Sequence, residues 1–185
     1  MDKIKIYNLR IVPPDPIFEE IVQLKKQFVT VFGKQPLSQS KPHVTLAAFK
    51  MYTHDEDKML KAFNQLSAIA KFRVDIQGFS IFENNANVLS LKIPMTEEIN
   101  QIHTRVKILW IRDLHRKPAS IKISKTPHIT ISKTDGNKML CESLTYFNKI
   151  EYSKQMEVNS LTMVSRNQNK TWDWEHQIYL EDSTN

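Results

Sequence analysis

Hydrophobic and polar positions change period repeatedly along this chain, and the changes predict its strands and helices. A first strand is predicted over residues 4–12, followed by a helix from about Pro16 to Phe32. The helix ends are well marked. Asp15 can accept from first-turn N–H groups, Pro16 suits the first helical position, and Gly33 suits the C-terminal cap. Helical spacing then predicts a helix over about residues 55–70, with its apolar face formed by Met59, Leu60, Phe63, Leu66 and Ile69.

The order strand, helix, His-containing strand, helix, strand occurs twice, and the first strands begin 84 residues apart. The first copy ends with a predicted strand at Phe72–Phe82. The second copy is predicted as Val88–Ile93, a helix at about Glu97–Leu114 after a Thr96 cap, a basic loop at 115–125, a His strand, a helix at about Asn137–Phe147, and final strands at Met156–Ser165 and Trp172–Leu180. We therefore predict a single bilobal domain over residues 1–185. Its repeat halves are approximately 1–83 and 86–182, with the His strands meeting over one cleft.

One tetrapeptide, Pro-His-(Val or Ile)-Thr, occurs in each half, at residues 42–45 and 127–130, with the two histidines 85 residues apart. Side chains alternate between the faces of a strand, so the His and the Thr of each motif are predicted to share a face. Ser132 is predicted on the same face as His128. A single His in a strand is most often structural, but the duplication favours a paired functional site.

Two imidazoles that face each other suit attack at phosphorus. One neutral imidazole takes a proton from the nucleophile, and the other, protonated, gives one to the leaving oxygen. Histidine is apt because its pKa lies near neutrality. A Thr hydroxyl two residues from each His can donate to a phosphoryl oxygen that gains charge in the transition state. The candidate catalytic residues are therefore His43 and His128, and Thr45 and Thr130 are candidate substrate-binding residues. This scheme needs no metal and no other cofactor.

Other chemistries have weaker support in the sequence. Two His on adjacent strands could hold half of a zinc site, but no His-x-x-x-His, paired Cys or acidic residue adjoins either motif. There is no Gly-x-Ser-x-Gly elbow, and three glycines provide no phosphate-binding Gly-rich loop. Trp172 and Trp174 are predicted to share a face of the last strand. They could stack a base, although core or edge packing is more common for such pairs.

The formal net charge of +6 favours an anionic partner such as nucleic acid or a nucleotide phosphate. A solvated basic surface is the alternative, since no run of five or more basic residues occurs. Cys141 cannot pair within the chain, which fits a reducing compartment, and its amphipathic context predicts a buried small side chain. No apolar stretch approaches about 20 residues, and no signal peptide is evident. We therefore expect a cytoplasmic protein without a membrane partner.

The two motifs, His43-Val44-Thr45-Leu46 and His128-Ile129-Thr130-Ile131, resemble those of the 2H phosphoesterase superfamily, which includes bacterial 2′-5′ RNA ligase and RNA 2′,3′-cyclic phosphodiesterases. The resemblance implies a bilobal α+β fold, with antiparallel sheets flanked by helices around a central cleft. It also implies metal-independent chemistry on 2′-linked phosphates, with the His pair as acid and base and the Thr pair holding the phosphate. Where family members often carry Arg five residues after the second His, this chain has Lys133, which keeps the charge without the bidentate fork. Strand alternation predicts Lys133 on the opposite face from His128.

The leading hypothesis is an enzyme that opens a 2′,3′-cyclic phosphate, or cleaves a 2′,5′ phosphodiester, on an RNA end or a small nucleotide. The alternatives are a noncatalytic RNA-end or nucleotide binder, a cyclic phosphodiesterase of a nucleotide-derived metabolite, and an RNA ligase. We expect a monomer. The loops at 33–41 and 115–125 are predicted to form the rims of the cleft. The second loop includes Arg116, Lys117 and Lys122, which would suit a phosphate backbone.

Overall fold

The computed structural model describes residues 3–82, 87–168 and 170–182, and these residues form an α+β fold with antiparallel sheets, as predicted. The helices are α1 (Ile17–Phe32), α2 (Glu56–Phe63), α3 (Glu97–Arg112) and α4 (Gly136–Phe147). The strands are β1 (Ile4–Ile11), β2 (Val44–Tyr52), β3 (Phe72–Gln77), β4 (Phe79–Phe82), β5 (Val88–Lys92), β6 (Ile121–Ile123), β7 (His128–Lys133), β8 (Ser153–Val158), β9 (Ser160–Asn167) and β10 (Trp174–Tyr179). No helix in the described part of the chain is long and apolar enough to cross a membrane.

Eight strands form one sheet in the order β10-β9-β1-β2-β7-β5-β4, and β6 pairs with β2 beside β7. β3 and β8 form a separate two-stranded sheet. β2 and β7, the strands that carry the two His motifs, are neighbours near the middle of the large sheet. The topology therefore brings together motifs that lie far apart in the sequence.

One face of the large sheet forms the hydrophobic core. Cross-strand pairs place Leu9, Val44, Ile129 and Leu91 on this face, and all four are fully buried. The helices cover it. The Trp110 ring of α3, for example, packs on Phe49 of β2 with centroids 4.7 Å apart, and Phe147 of α4 packs on Phe79 of β4 at 5.1 Å. The opposite face of the sheet carries the His and Thr side chains of the two motifs.

The ends of the long helices agree with most of the predicted caps. Thr96 Oγ1 accepts from the Ile99 N–H at 3.3 Å, and the Gly33 N–H donates to Val29 O at 2.9 Å. The prediction for Asp15 was wrong. Pro16 occupies the N-cap position of α1, one residue before the helix, and no side chain caps this end.

Several other predicted elements differ from the observed ones. The predicted helix at 55–70 is α2 followed by a 3₁₀ helix at Asn64–Ala68. The predicted strand at 72–82 is broken at Gly78, whose φ of +60° is a conformation that other residues rarely adopt. The predicted basic loop contains β6. Three strands, β8 to β10, occupy the C-terminal region where two were predicted. Cys141 is exposed rather than buried, because it lies on the outer face of α4.

Candidate active site

The two motifs lie side by side in the sheet. β2 and β7 pair antiparallel with Val44 opposite Ile129. By alternation, His43 lies opposite the Thr130 position and Thr45 opposite His128, all on the face away from the core. His43 and His128 are then diagonal neighbours, a relation that places backbone positions about 7–8 Å apart. One phosphate group between the two imidazoles could contact both.

Both imidazoles are held in the same way. His43 Nδ1 lies 2.8 Å from Lys41 O, and His128 Nδ1 lies 2.8 Å from Thr126 O. A carbonyl oxygen only accepts, so each Nδ1 carries a proton and donates. Nε2 is therefore the nitrogen left available for proton exchange in each ring, and the backbone two residues upstream fixes the ring orientation.

Directly after its Thr, each motif has a β-bulge, at Leu46 in the first copy and at Ile131 in the second. The register of β1 against β2 skips Leu46, because Arg10 faces Thr45 and Leu9 faces Ala47. The register of β5 against β7 skips Ile131 in the same way, because Ser90 faces Thr130 and Leu89 faces Ser132. A bulge inserts one unpaired residue and so reverses the side-chain alternation beyond it. The two motifs therefore share backbone structure as well as sequence.

The bulge at Ile131 corrects two predictions from simple alternation. Ser132 faces Leu89 and lies on the core side, fully buried, with its hydroxyl donating to Lys133 O at 2.9 Å. It does not share the face of His128. Lys133 faces Val88, which lies on the same side as Ser90 and Thr130. Lys133 is therefore on the motif face, where a substrate phosphate could reach it, and not on the opposite face.

Lys25 of α1 donates hydrogen bonds to the backbone of the second motif. This side chain is 3% exposed, and its ammonium donates to the carbonyls of Leu37 at 2.9 Å, Thr130 at 2.8 Å and Ile131 at 2.8 Å. Burial lowers the pKa of Lys25 to about 8. The carbonyls of Thr130 and Ile131 belong to the bulge, where ladder pairing is interrupted. Lys25 thus links α1, the loop before the first motif, and the strand of the second motif.

Arg10 is a site residue that the sequence analysis missed. It faces Thr45 across β1 and β2, on the motif face, and is 5% exposed. Its Nε donates to Asn8 Oδ1 at 3.1 Å, and its guanidinium carbon lies 4.7 Å from the centroid of the Trp172 ring. Burial lowers its pKa to about 10, an effect that Glu175 opposes and Arg166 adds to. Arg10 occupies a polar position in an alternating strand, so the sequence alone suggests a solvated residue.

The electrostatic surroundings of His43 favour its neutral form. Burial, the largest cause, and the charges of Arg10, Lys25 and His128 together lower its pKa to about 4, and the bond to Lys41 O opposes the shift. At the position equivalent to Arg10, the second motif has Ser90 facing its Thr. The two motifs therefore share geometry and differ in the residue that faces their Thr.

The motif face carries further cationic side chains on its strands. Strand pairing places these on the same face as the motifs: Lys50, Lys92, Lys122, Lys133 and Arg166. Arg116 differs, because its guanidinium is ion-paired with Asp55. The structure therefore supports the prediction of phosphate binding more strongly for Lys122 than for Arg116.

Trp172 and Trp174 do not form a shared stacking surface. Trp174 lies in β10 and packs edge-on against Tyr7 on the core side, with centroids 6.5 Å apart. Trp172 precedes β10, and the guanidinium carbons of Arg10 and Arg166 lie 4.7 and 4.8 Å from its ring centroid. The predicted strand began two residues too early, so the two indoles do not share a strand face. The Trp172 ring instead makes cation–π contacts with two arginines.

No group of three or more His, Cys, Asp or Glu side chains within residues 3–82, 87–168 and 170–182 is arranged to hold a metal ion. Either imidazole could in principle bind a cation, but the neighbours of His43 that influence its pKa include two cations. The chemistry available from the described side chains is proton transfer by imidazole and hydrogen-bond donation by Thr, Arg and Lys.

Comparison with known proteins agrees with this picture. A family model, the 2′-5′ RNA ligase superfamily, matches residues 13–170. The chain belongs to this superfamily. A curated relative, a candidate phosphoesterase of Oceanobacillus iheyensis, is 22% identical over 170 residues, which cover 90% of this chain and 92% of the relative.

Solved structures share the superfamily fold. A Thermus thermophilus protein superposes with a TM-score of 0.67 at 15% identity, covering 95% of this chain and 99% of the other. Escherichia coli LigT complexed with 3′-AMP superposes with a TM-score of 0.63 at 14% identity, again covering 95% and 99%. LigT structures with NADP⁺ and with ATP are also similar to this chain, with TM-scores of 0.62 and 0.55 at 12% and 13% identity, covering 97% of this chain and 96% of LigT in each case. These likenesses confirm the fold predicted from the motifs.

Proposed function

We propose that this protein is a metal-independent phosphoesterase that hydrolyses a 2′,3′-cyclic phosphate, or a related 2′,5′ phosphodiester, on an RNA end or a nucleotide. The observation that carries the proposal is the pairing of Val44 with Ile129, which places the two His-x-Thr motifs side by side in one register. Superfamily membership supports a phosphoester substrate, and LigT structures with nucleotides support a nucleotide ligand.

In this proposal His43 is the general base and His128 the general acid. A base must be neutral before the reaction, and burial together with Arg10 and Lys25 keeps His43 neutral by lowering its pKa to about 4. The second motif has Ser90 where the first has Arg10, so the residue that faces its Thr carries no charge. His128, the other imidazole of the pair, then takes the role of acid in the proposal.

The proposed reaction proceeds by attack of water on phosphorus. His43 Nε2 takes a proton from the water as the new P–O bond forms, and His128 Nε2 gives its proton to the ribose oxygen as the old P–O bond breaks. The products are a phosphate monoester and a free ribose hydroxyl. Solvent then restores the two imidazoles to their starting protonation states. The hydroxyls of Thr45 and Thr130 donate to the phosphoryl oxygens, and the Lys133 ammonium contributes positive charge on the same face.

The test is a turnover screen with EDTA present. It offers 2′,3′-cyclic mononucleotides, a cyclic-ended oligonucleotide and a 2′,5′-linked dinucleotide to wild type, His43→Ala and His128→Ala. Each substitution should lower turnover by about 10² or more. His54→Ala is the matched control, since this His lies in the 3₁₀ turn beyond the far end of β2, about 20 Å or more from the motif, with a side chain 52% exposed.

Two results would refute the proposal. Wild-type turnover in the double variant of His43 and His128 would place the chemistry elsewhere. Complete loss of wild-type activity on EDTA treatment, restored by a divalent cation, would show that a metal acts in the reaction. Binding of all three ligands without turnover of any would favour the noncatalytic alternative.

A further inference from the structure

A cavity of about 500 Å³ lies beside His43, on the side of β2 that faces β1 and away from β7. Its volume is in the usual range for small-molecule sites, about 300–1,000 Å³. The lining includes Arg10, Ser40, Trp172, Asp173 and Glu175 along with His43. A group bound there would be in direct contact with the proposed general base.

Arg10 is the buried hydrogen-bond donor of this cavity. Its Nε is occupied by Asn8, and its guanidinium carbon lies 4.7 Å from the Trp172 ring centroid. Its Nη2 is buried, and no described residue accepts a hydrogen bond from it. A buried N–H without an acceptor is costly, so a ligand that presents acceptors to this edge would be favoured. Trp172 fixes the plane of the guanidinium fork.

The cavity also contains two carboxylates. Asp173 and Glu175 are both exposed, and one Glu175 oxygen accepts from Gln177 Nε2 at 3.0 Å. These carboxylates offset the charges of Arg10 and Lys41, which also lines the cavity. Such a lining disfavours a second phosphate, which the carboxylates would repel. It suits an uncharged ligand with acceptors on one edge and donors on another.

We propose that this cavity is a nucleobase subsite and that it favours guanine. The subsite rests on the proposed function, because the base is that of the nucleoside whose phosphate lies between His43 and His128. Guanine presents the O6 and N7 acceptors that an arginine fork binds in a bidentate manner, and its N2 amino group can donate to Glu175 or Asp173. Adenine has a donor at N6 beside its N7 acceptor, so it would place a donor against Arg10. Cytosine offers its N4 donor to a carboxylate but lacks the O6 and N7 pair.

The test compares kcat/KM for the 2′,3′-cyclic monophosphates of guanosine, adenosine, cytidine and uridine. One bidentate pair should give the guanosine substrate an advantage of at least about 10-fold over adenosine. Glu175→Gln and Asp173→Asn, together, should reduce this ratio to within about 3-fold, because each amide replaces one carboxylate oxygen with a donor and removes the negative charge that strengthens the bond from guanine N2. Both positions are exposed, so the variants are expected to fold. Glu142→Gln, an equally exposed acid on α4, is the matched control and should keep the wild-type ratio.

Calorimetric binding of 3′-GMP and 3′-AMP separates the subsite from the chemistry. Tighter binding of 3′-GMP by about 10-fold in wild type, lost in the double variant, supports the subsite even if no cyclic nucleotide is turned over. That combination would refute only the proposed hydrolysis. Conversely, turnover of all four substrates within about 3-fold of one another, with equal binding of 3′-GMP and 3′-AMP, would overturn the subsite and leave the proposed function intact.

Discussion

Replacing Lys25 with Met should weaken both the fold and the proposed site. The methionine side chain has similar length but no donor, so three backbone carbonyls would lose the ammonium that lies 2.8–2.9 Å away. Each hydrogen bond to a charged group contributes about 1.5–3 kcal/mol. Part of this is offset by the cost of burying the ammonium, which is several kcal/mol. The expected net loss is about 3–5 kcal/mol, which is the contribution of the three bonds less the cost of burying the ammonium.

The substitution of Lys25 should also perturb the backbone of the second motif. Two of the three carbonyls belong to Thr130 and Ile131, which precede and form the bulge in β7. Without Lys25 this backbone is free to shift, and a displacement of about 1 Å can lower turnover by about 10². We therefore expect kcat to fall about 10- to 100-fold while KM changes little, because in the proposed site Thr45 and Lys133 also hold the phosphate.

Urea unfolding followed by tryptophan fluorescence measures the first effect, and turnover of a cyclic nucleotide at a temperature where the variant is folded measures the second. Lys26→Met is the matched control, because Lys26 is the next residue of α1 and is exposed. Lys25→Arg retains the charge and should recover part of both losses. If Lys25→Met is destabilised by less than about 0.5 kcal/mol and keeps wild-type kcat, the three contacts do not support the site.

Three further outcomes are expected. Because burial and Arg10 lower the pKa of His43 to about 4, kcat/KM should lose its base-dependent activity only as pH falls through about 4, and Arg10→Gln should move this limb to higher pH. A pH profile of both proteins checks this, and a wild-type limb near 6.5 would contradict it. Binding of a cyclic-ended oligonucleotide should weaken with salt at a log-log slope of about −0.7 per phosphate contact. The double variant Lys50→Gln, Lys122→Gln should flatten this slope. Arg116→Gln should not, since Arg116 is paired with Asp55. Equal slopes in all variants would show that the motif face does not bind the phosphate backbone of the oligonucleotide. Gly78→Ala should destabilise the fold by about 1–2 kcal/mol in urea, because φ is +60° although a Cβ would meet no atom within 4 Å; an unchanged midpoint would show that the turn can relax.

The sequence predicted the elements in which periodicity and end signals agree. α1 and α3 have apolar faces at helical spacing, and Gly33 and Thr96 mark ends that the structure confirms. The motifs were visible because Pro-His-x-Thr occurs twice. Elements that depend on a single local break were less predictable. A strand signal continues through Gly78, and nothing in the run Ile121–Ile123 distinguishes a three-residue strand from a loop.

The supporting residues were harder to predict, for physical reasons specific to each. Arg10 follows the alternation of β1 as any solvated residue would, but in the fold it is buried and its guanidinium packs against the Trp172 ring. Lys25 had a signal that could have been used, since it occupies a core-facing position between Leu24 and Phe28 on α1. A charged residue in such a position requires buried partners. Two of its three partners, backbone carbonyls about 105 residues away, cannot be identified without the fold.

The bulges at Leu46 and Ile131 have a consequence for redesign of this scaffold. Each bulge shifts the alternation of side chains by one residue. Odd-numbered and even-numbered residues therefore exchange faces of the sheet beyond it. If Ile131 were instead paired regularly with β5, His128 and Thr130 would stay in place but Ser132 would turn outward and Lys133 toward the core. Transplanting a motif into another strand would therefore require five residues rather than four, because the unpaired fourth position must be followed by one that faces the core.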